Sequence, residues 1–379
     1  MLRCEYADEF PQREDIVYLN HAAVAPWPKR AVAAVTQFAE ENAQQGAVDY
    51  RKWMQREHVL RAQLRDLLNA PSMEDIALLK NTSEALSTVA YGLRWRHGDN
   101  VVIAAQEFPS NRIVWESLGR FGVSVRVVAL EQGESPEEAL FQACDRHTRL
   151  IAVSSVQYAT GLRMDLERIG NFCRKADVLL CVDAIQSLGA LPIDVQAIGA
   201  DFVMADGHKW MLGPEGVAVF YCRAERRNQL DLMQYGWHMV AEAGHFDREA
   251  WQVATGAQRF ECGSLNMLGI HALSASLSLL LEVGLDSVQE RLLPHTAYLT
   301  DVICDHRGLE LLSPREPGRR SGIVSFRCTD SDHEQLFARL CSAGVVCALR
   351  KGGIRLSPHF YTPQEKLERA MRVVQNGCR

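Results

Sequence analysis

The chain has 379 residues, of which 47% are hydrophobic and 23% are charged, a balance typical of a folded globular protein and not of a disordered or fibrous one. Its formal net charge of -6, from 41 basic and 47 acidic residues, argues against a nucleic-acid-binding protein. No apolar run reaches the roughly 18 residues that a membrane-spanning helix needs, so we expect no membrane partner.

The thiols and the opening residues indicate where the protein works. Eleven cysteines are scattered through the sequence, and no pair of them has CxxC spacing. This odd, irregular set is typical of reduced thiols and not of a disulfide framework or a zinc site, so no metal is expected. The first residues are polar and acidic and resemble neither a signal peptide nor a transit peptide. We therefore expect a cytoplasmic protein.

The first two thirds of the chain alternate between short apolar runs and helical patterns. An extended stretch at 16–20 precedes two predicted helices at 29–45 and 49–69. Strands are then predicted at 76–79, 101–105, 124–130, 149–155, 178–183, 201–205 and 217–222. Helices are predicted between most of them, at 82–95, 110–120, 135–145, 165–175 and 185–190. Because the strands are nearly all apolar, this alternation predicts an α/β fold with a mostly parallel, doubly wound sheet covered by helices.

The pattern changes near residue 265. A long helical stretch is predicted at 266–306. It is followed by strands predicted at 322–327, 344–348 and 353–356 and by helices predicted at 331–343 and 363–376. This order is typical of a smaller α+β domain. We therefore predict three parts, namely an amino-terminal segment (1–28), a large domain (29–264) and a small carboxyl-terminal domain (265–379).

Two polar residues follow neighbouring strands of the predicted sheet. Asp183 ends the run Val178–Val182, and Lys209 follows the next strand by a few residues. Ligands of such sheets bind beyond the carboxyl ends of the strands. Each residue has an ordinary alternative, since Asp183 could cap a helix and Lys209 could be a surface lysine. However, a lysine flanked by His, Trp and apolar residues is poorly solvated, which lowers its pKa and favours Schiff-base chemistry.

Together, these two residues suggest the cofactor pyridoxal 5'-phosphate (PLP). Lys209 would hold the aldehyde of the cofactor as a Schiff base. Asp183 would keep the pyridine nitrogen protonated, so that the ring can accept electrons from the substrate. Other motifs for cofactors or metals, such as GxGxxG, a P-loop or a zincin helix, do not occur.

The segment that carries both residues resembles a known family. The run VDAIQSLGALPIDVQAIGADFVMADGHKWMLGPEGVAVFY is similar to the cofactor core of the class V aminotransferase family of fold-type I PLP-dependent enzymes. That family includes cysteine desulfurases, selenocysteine lyases, kynureninases and isopenicillin N epimerase-like proteins. The resemblance extends from YLNHAA at 18–23 to GIRLSPHFYT at 353–362. It implies a seven-stranded sheet sandwiched by helices, with the amino-terminal segment closing over the active site.

The resemblance implies three contacts with the cofactor phosphate. Asn81-Thr82-Ser83 looks like the phosphate turn, and a helix amino terminus with hydroxyl groups suits a phosphate, although the same residues could be a plain helix cap. His208 resembles the family residue before the lysine, which contacts the phosphate. Arg259-Phe-Glu-Cys-Gly-Ser264 resembles RFEAGT of the desulfurases, in which the hydroxyl reaches the phosphate of the neighbouring subunit. We therefore expect a homodimer with shared active sites.

Other residues are expected around the cofactor ring. Phe108 resembles the aromatic residue that stacks on the ring, and Gln186 resembles the one that donates a hydrogen bond to the ring hydroxyl oxygen. Asn111 is a candidate for a further polar contact. Gln157 and Tyr158 both follow a predicted strand, and the sequence does not decide which of them reaches the cofactor or the substrate.

Two segments are expected to bind the substrate. Arg355 lies in GIRLSP, which resembles the segment whose arginine binds the α-carboxylate of the amino acid; an arginine fork matches a carboxylate bidentately. Asn20 and His21 resemble the segment that closes over the site. His21 could contact the substrate or be structural.

The resemblance implies a PLP-dependent enzyme that acts on an α-amino acid, with Lys209 as the base that removes the α-proton. The reaction could be transamination or a related lyase reaction, amino-acid epimerisation or kynureninase-like C–C cleavage. A cysteine desulfurase or selenocysteine lyase would need a nucleophilic thiol, and Cys347 lies eight residues before Arg355. Because its segment reads as an apolar strand, Cys347 could equally be a small buried residue. A scaffold that binds PLP as a regulatory protein is the remaining alternative.

Overall fold

The computed structural model describes residues 6–247, 249–329 and 332–377. Its strands are β1 (Val17–Tyr18), β2 (Ile76–Leu79), β3 (Asn100–Ala104), β4 (Ser124–Val128), β5 (Thr148–Ser154), β6 (Leu179–Asp183), β7 (Phe202–Asp206), β8 (Ala218–Cys222), β9 (Leu309–Leu311), β10 (Val324–Cys328), β11 (Val345–Val346), β12 (Ala348–Arg350) and β13 (Gly353–Leu356). Its α-helices are α1 (Lys29–Gln45), α2 (Tyr50–Leu68), α3 (Thr82–Gly92), α4 (Ser110–Glu116), α5 (Pro136–Gln142), α6 (Leu166–Ala176), α7 (Val195–Ile198), α8 (Met267–Val283), α9 (Leu285–Cys304), α10 (His333–Ser342) and α11 (Gln364–Gly377).

A seven-stranded sheet with the order β2-β8-β7-β6-β5-β3-β4 forms the centre of the fold. Within it β8 runs antiparallel to both of its neighbours, and the other pairs are parallel. Every residue of β3, β6, β7 and β8 is buried. Since helices cover both faces, these strands have no solvent-facing side, which is why their sequences are apolar runs and do not alternate. This sheet confirms the predicted α/β fold of the fold-type I class.

The helices contribute apolar faces to two buried clusters on either side of the sheet. The helix α8 is apolar nearly all round, and it packs against both α1 and α2. Leu60, Leu64 and Leu273 belong to the cluster between these helices. A helix that is hydrophobic on every side has to be enclosed in this way.

A second, four-stranded antiparallel sheet has the order β12-β13-β10-β9. It packs with α9, α10 and α11 around a separate apolar cluster. The amino-terminal strand β1 pairs in parallel with β11, so the first segment of the chain is attached to the carboxyl-terminal part. The division into 1–28, 29–264 and 265–379 stays a prediction, and α8, which follows its second boundary, packs on helices of the large domain.

Two predictions about single elements are wrong. The helix predicted at 185–190 is a series of turns, and a short helix, α7, lies further along the chain. The long helical stretch at 266–306 is divided by Gly284, whose φ of 80° lies in the left-handed region that favours glycine. In the described part of the chain no single helix is long and apolar enough to cross a membrane. The helices α8 and α9 meet the requirements of length and composition only as a pair, with an 82° bend between them.

Candidate active site

The candidate site lies at one edge of the large sheet. The strands β3, β5, β6 and β7 run in the same direction, so their carboxyl ends meet there. Polar side chains follow each of these strands and are buried: Glu107 after β3, Gln157 after β5, Asp183 at the end of β6 and Lys209 after β7. Buried polar groups need partners, so their accumulation at this edge marks a site for a polar ligand.

Lys209 is only 9% exposed. Its Nζ lies 5.6 Å from the centre of the Phe108 ring. Burial lowers the pKa of Lys209, and the negative charge of Asp183 opposes this effect. A lysine whose ammonium form is destabilised is readily converted to the free amine, which is the form that attacks an aldehyde or accepts a proton.

Asp183 is buried at the end of β6, where it pairs with Met204 of the neighbouring strand. Its Oδ1 accepts a hydrogen bond of 3.0 Å from the backbone N–H of Ile185. Burial raises the pKa of Asp183, and Glu107 raises it further, whereas Ile185 and Lys209 lower it. A carboxylate in such surroundings gains from a cationic partner, and a protonated pyridine nitrogen would be one.

Glu107 is a buried residue that the sequence analysis did not single out. Its carboxylate accepts hydrogen bonds from the Ser154 backbone N–H (2.9 Å) and hydroxyl, from Gln157 Nε2 (3.0 Å) and from Asn111 Nδ2 (2.8 Å). Burial nevertheless raises the pKa of Glu107. Glu107 lies three residues after the end of β3, just as Lys209 lies three residues after the end of β7, so the same argument from sequence would have found it.

Three amides that were predicted to touch the cofactor have protein partners. Asn111 donates to Glu107 and accepts from the Trp115 indole, and Gln157 donates to Glu107 while its Oε1 is buried without a partner. Gln186 donates to the carbonyl of Ala22 and accepts from the Trp210 indole, both at 3.0 Å. The cofactor contacts of these amides stay predictions. The unpaired oxygen makes Gln157 the one with an acceptor still to be satisfied.

The Phe108 ring lies beside Lys209 and contacts a second aromatic ring. Phe108 is 40% exposed, although its chain neighbour Glu107 is buried. Its ring meets that of Tyr158 edge-to-face, with the ring centres 5.2 Å apart. An exposed Phe face beside a buried lysine suits a stacking platform for a planar ring.

The predicted phosphate turn lies at the start of α3. Asn81 caps this helix by accepting a hydrogen bond from the Glu84 N–H, and Thr82 Oγ1 is buried without a partner. Ser83 Oγ donates to Ser110 Oγ at 2.8 Å. The helix amino terminus and the unpaired hydroxyl suit an anionic group. Asn81 therefore caps the helix, whereas the hydroxyl of Thr82 is left for a phosphate.

His208 lies beside the carboxylate of Asp206, with 3.1 Å between Nδ1 and Oδ1. Neither atom has a hydrogen bond of good geometry among the described residues. The carboxylate faces the imidazole, so the other ring nitrogen of His208 is the one left for a phosphate. Its contact with the cofactor stays a prediction.

Arg355 on β13 is 1% exposed. Its Nη1 donates to the backbone carbonyl of Tyr158 at 2.7 Å, whereas Nε and Nη2 are buried and have no partner. Burial lowers the pKa of Arg355 to about 9, and the positive charge of Arg350 adds to that shift. Two unpaired N–H directions on a buried guanidinium are costly and match the two oxygens of one carboxylate.

The amino-terminal candidates differ from one another. Both ring nitrogens of His21 are used, Nδ1 with the carbonyl of Ser357 at 2.8 Å and Nε2 with the Tyr361 hydroxyl at 2.6 Å. Burial lowers the pKa of His21 to about 4, so the ring is neutral. Asn20 Oδ1 is buried without a partner. The geometry favours a structural role for His21, and substrate contacts of both residues stay predictions.

Ser264 and Cys347 lie outside the group of buried polar residues. Ser264 is exposed, as the proposed contact with a neighbouring subunit requires. Cys347 lies between β11 and β12 and is 7% exposed, and burial raises the pKa of its thiol to about 12. A nucleophilic cysteine needs the opposite, an accessible sulfur with a lowered pKa.

These observations fit PLP, the cofactor that the sequence analysis predicted. The unpaired hydroxyl of Thr82 at a helix amino terminus suits the phosphate, the buried Asp183 suits the ring nitrogen, and the lysine with a lowered pKa suits the aldehyde. The exposed face of Phe108 supplies a surface for the ring. The residues are of the right chemical kinds, and they lie on the edge where such ligands bind.

Comparison with known proteins gives one consistent result. The sequence model of the family described as aminotransferase class-V matches residues 17–371. A probable cysteine desulfurase of Methanothermobacter thermautotrophicus is 31% identical, over 95% of this chain and 94% of its own length. The structure of the Escherichia coli cysteine desulfurase CsdA superposes with a TM-score of 0.88 at 22% identity, over 98% of this chain and 97% of that one. The cystine C–S lyase C-DES, bound to its product cysteine persulfide, gives a TM-score of 0.89 at 22% identity, over 96% and 98%.

Proposed function

The chain belongs to the class-V aminotransferase family and is a PLP-dependent enzyme, and from this premise we propose that it is a lyase that breaks the bond between Cβ and sulfur of an α-amino acid. The proposal makes the edge-of-sheet site the active site. It commits to one of the reactions that the family resemblance leaves open.

The observation that carries the proposal is the guanidinium of Arg355, whose Nε and Nη2 are buried without a partner. Arg355 donates a hydrogen bond to the backbone carbonyl of Tyr158. The Tyr158 ring contacts the Phe108 ring, and the Phe108 ring contacts Lys209. An α-carboxylate held by Nε and Nη2 would satisfy both unpaired positions. Arg355 would thereby orient the Cα–H bond of the amino acid toward the lysine.

Bound PLP supplies an electron sink that stabilises negative charge at Cα. Lys209 provides the base, because burial lowers its pKa and Nζ can then take the α-proton. Burial raises the pKa of Asp183, so its charged form needs a cationic partner. A protonated ring nitrogen would be that partner, and the carboxylate would in turn stabilise its positive charge. The sulfur then leaves Cβ with the electron pair of the C–S bond.

The burial of the Cys347 thiol supports one of two possible fates of the sulfur. A desulfurase mechanism transfers sulfur to a nucleophilic thiolate, which Cys347 cannot supply with a pKa raised to about 12. We therefore propose direct elimination, with the sulfur released into solution. The names of the relatives support sulfur as the leaving atom, since one is a probable cysteine desulfurase and another a cystine C–S lyase.

We also propose that the active unit is a homodimer. The segment that leads to Ser264 exposes large aromatic side chains, with Tyr235 65%, Phe246 77% and Trp251 60% exposed. Clusters of exposed apolar residues mark interaction surfaces. A second copy that covers this segment would bring Ser264 near a neighbouring phosphate site.

The test of the active-site assignment is the variant Lys209→Ala. We expect it to lose the visible absorbance of the protein-bound cofactor and to lower turnover of L-cysteine or L-cystine by at least about a thousandfold. Lys175→Ala, at an exposed lysine of α6, serves as the matched control and should keep both. Unchanged absorbance and turnover in Lys209→Ala would exclude this lysine and the proposed mechanism.

A further inference from the structure

The hairpin that carries Arg355 presents more positive charge than one α-carboxylate needs. In the pairing of β12 with β13, Ala348 lies opposite Arg355 and Arg350 lies opposite Gly353. Residues opposite each other share a face, and so do residues two apart on one strand. Arg350 and Arg355 therefore extend from the same face of the hairpin as diagonal neighbours. Lys351 follows at the turn.

The turn between β12 and β13 has an unusual backbone conformation. Lys351 has a φ of 44° and Gly352 a φ of 74°, so both central residues of the two-residue turn are left-handed. Such turns favour Asn or Gly, and a lysine there is strained. Strain of this kind is typical of positions with a function.

The cations of the hairpin lack anionic partners. Arg350 Nη1 donates to the carbonyl of its neighbour Leu349 at 2.7 Å, and among the described residues no carboxylate lies within ion-pair distance of Arg350 or Lys351. The carboxylates of the site, Asp183 and Glu107, lie at the sheet edge on the side of the cofactor. Once Arg355 holds the α-carboxylate, the positive charge of the hairpin is still uncompensated.

A path of aromatic contacts joins the reacting lysine to this charge. Lys209 Nζ lies 5.6 Å from the Phe108 ring, the Phe108 ring lies 5.2 Å from the Tyr158 ring, and Lys351 Nζ lies 5.8 Å from the Tyr158 ring. The positive charge of Arg350 also contributes to the lowered pKa of Lys209 and of Arg355, in keeping with its place on the same face of the hairpin as Arg355. A side chain that extends from Cβ along the two rings would end among the hairpin cations.

We infer that Arg350 and Lys351 form a second anion subsite, which selects amino acids whose sulfur substituent ends in a negatively charged group. The inference rests on the proposed function, since it names the substrate class of the same site. The guanidinium of Arg350 would bind the distal carboxylate, and Tyr158 would pack against the chain that leads to it. Arg350 is half-buried and Lys351 is exposed. An uncharged analogue would leave these cations without an anionic partner, so it would bind less tightly.

The experiment compares two substrates that differ only in charge, S-carboxymethyl-L-cysteine and its amide S-carbamoylmethyl-L-cysteine. For the holoenzyme we expect kcat/KM to favour the acid by at least about tenfold, the value of a charged hydrogen bond. Arg350→Gln should abolish this preference, so that kcat/KM for the acid falls at least about tenfold more than kcat/KM for the amide. The dissociation constants obtained from the absorbance change of the bound cofactor should follow the same pattern.

Two further variants keep the test decisive. Arg350→Lys retains the charge and should retain part of the preference, which guards against a folding defect in Arg350→Gln. Arg327→Gln removes an exposed arginine of β10 that pairs with Glu310, and it should leave the preference unchanged.

Three results would overturn the inference. Equal use of acid and amide by the wild-type enzyme would exclude a distal anion subsite. An equal loss for both substrates in Arg350→Gln would mean that Arg350 assists Arg355 at the α-carboxylate. If neither compound perturbs the cofactor absorbance or is turned over, the proposed function itself fails, and the subsite fails with it.

Discussion

Arg355 lies on β13 and Cys347 directly precedes β12, and burial has opposite consequences for the function of the two residues. Burial leaves N–H groups of Arg355 without a partner, and a carboxylate ligand can bond to them. A ligand without a carboxylate would leave these groups unpaired, which makes the site specific. For Cys347 burial removes reactivity, because a thiol with a raised pKa provides almost no thiolate. The sequence gives the residue types at both positions, but it does not give their burial.

The Cys347→Ala variant tests this conclusion. We expect its release of sulfur from L-cystine, measured as total sulfide after reduction of the product, to stay within about twofold of the wild-type rate, because a buried thiol outside the reaction takes no part in it. Lys209→Ala provides the inactive comparison. A loss of sulfur release in Cys347→Ala, with the unfolding free energy unchanged, would contradict direct elimination.

The site residues differ in how well sequence predicts them. Asp183 and Lys209 could be predicted because each carries a charge at or just after the end of a buried strand. A charge in such a place needs an oppositely charged or hydrogen-bonding partner. Glu107 also carries a charge near the end of a buried strand, but the exposed Ala105 and half-buried Gln106 separate it from β3, so the sequence resembles an ordinary surface loop there. The partners of Gln186 could not be found, since Ala22 is 164 residues away along the chain and the contact depends on tertiary structure.

At the scale of elements, the central strands were predictable and the turn after β6 was not. An apolar run between polar ends is a sufficient signal for a strand enclosed by helices. The stretch at 185–190 has helical composition, but Gly189 has a φ of 99°, and a Cβ there would lie 2.4 Å from the carbonyl oxygen of Trp210. Close packing against the lysine loop therefore overrides the local preference for a helix.

The amino-terminal segment is attached to β13 through a neutral histidine. His21 bonds to the carbonyl of Ser357 and to the Tyr361 hydroxyl, and His359 bonds to the carbonyl of Trp210 next to Lys209. Burial lowers the pKa of His21 to about 4 and that of His359 well below its ordinary value. Burial therefore favours the neutral form of both rings.

This network predicts a loss of stability in mild acid. Since the pKa of His21 is 6.5 in the unfolded chain and about 4 in the folded one, the unfolded state binds more protons below pH 6.5. Stability is complete above pH 6.5 and falls as the pH approaches 4, by about 2 kcal/mol at pH 5 from this one group.

The measurement is urea unfolding of the holoenzyme at pH 7 and pH 5. The His21→Asn variant should be less stable at pH 7 but should lose about 2 kcal/mol less between the two pH values than the wild type. His97→Asn, at an exposed histidine, is the control and should keep the wild-type difference. A pH dependence unchanged in His21→Asn would show that the imidazole is not held neutral by the fold.

At the scale of the whole molecule, the fold followed from the alternation of strands and helices, but the assembly did not. Net charge and composition say nothing about which surface meets another copy. The exposed aromatic residues before Ser264 become visible as a surface only when the structure places them.

Mixing two inactive variants tests the shared site. If Ser264 completes the phosphate site of the partner, dimers formed from Lys209→Ala and Ser264→Asp chains contain one site with both wild-type residues. Refolding an equal mixture should then restore up to about a quarter of wild-type turnover, as expected for random pairing in a twofold-symmetric dimer. No recovery, with mixed dimers verified by mass, would mean that Ser264 acts within its own chain or not at all.

The identity of the carbon product tests the central claim most directly. Direct elimination of sulfur from an amino acid leaves an enamine that hydrolyses to pyruvate and ammonia, whereas transfer of sulfur to a protein thiol leaves alanine. We predict that purified holoenzyme converts L-cystine to pyruvate and releases a persulfide, as identified by mass spectrometry. The same holoenzyme is supplied with L-cysteine, from which sulfur transfer to a protein thiol would give alanine and a protein-bound persulfide. Alanine as the main product from L-cysteine, formed in proportion to sulfur bound on the protein, would contradict the account.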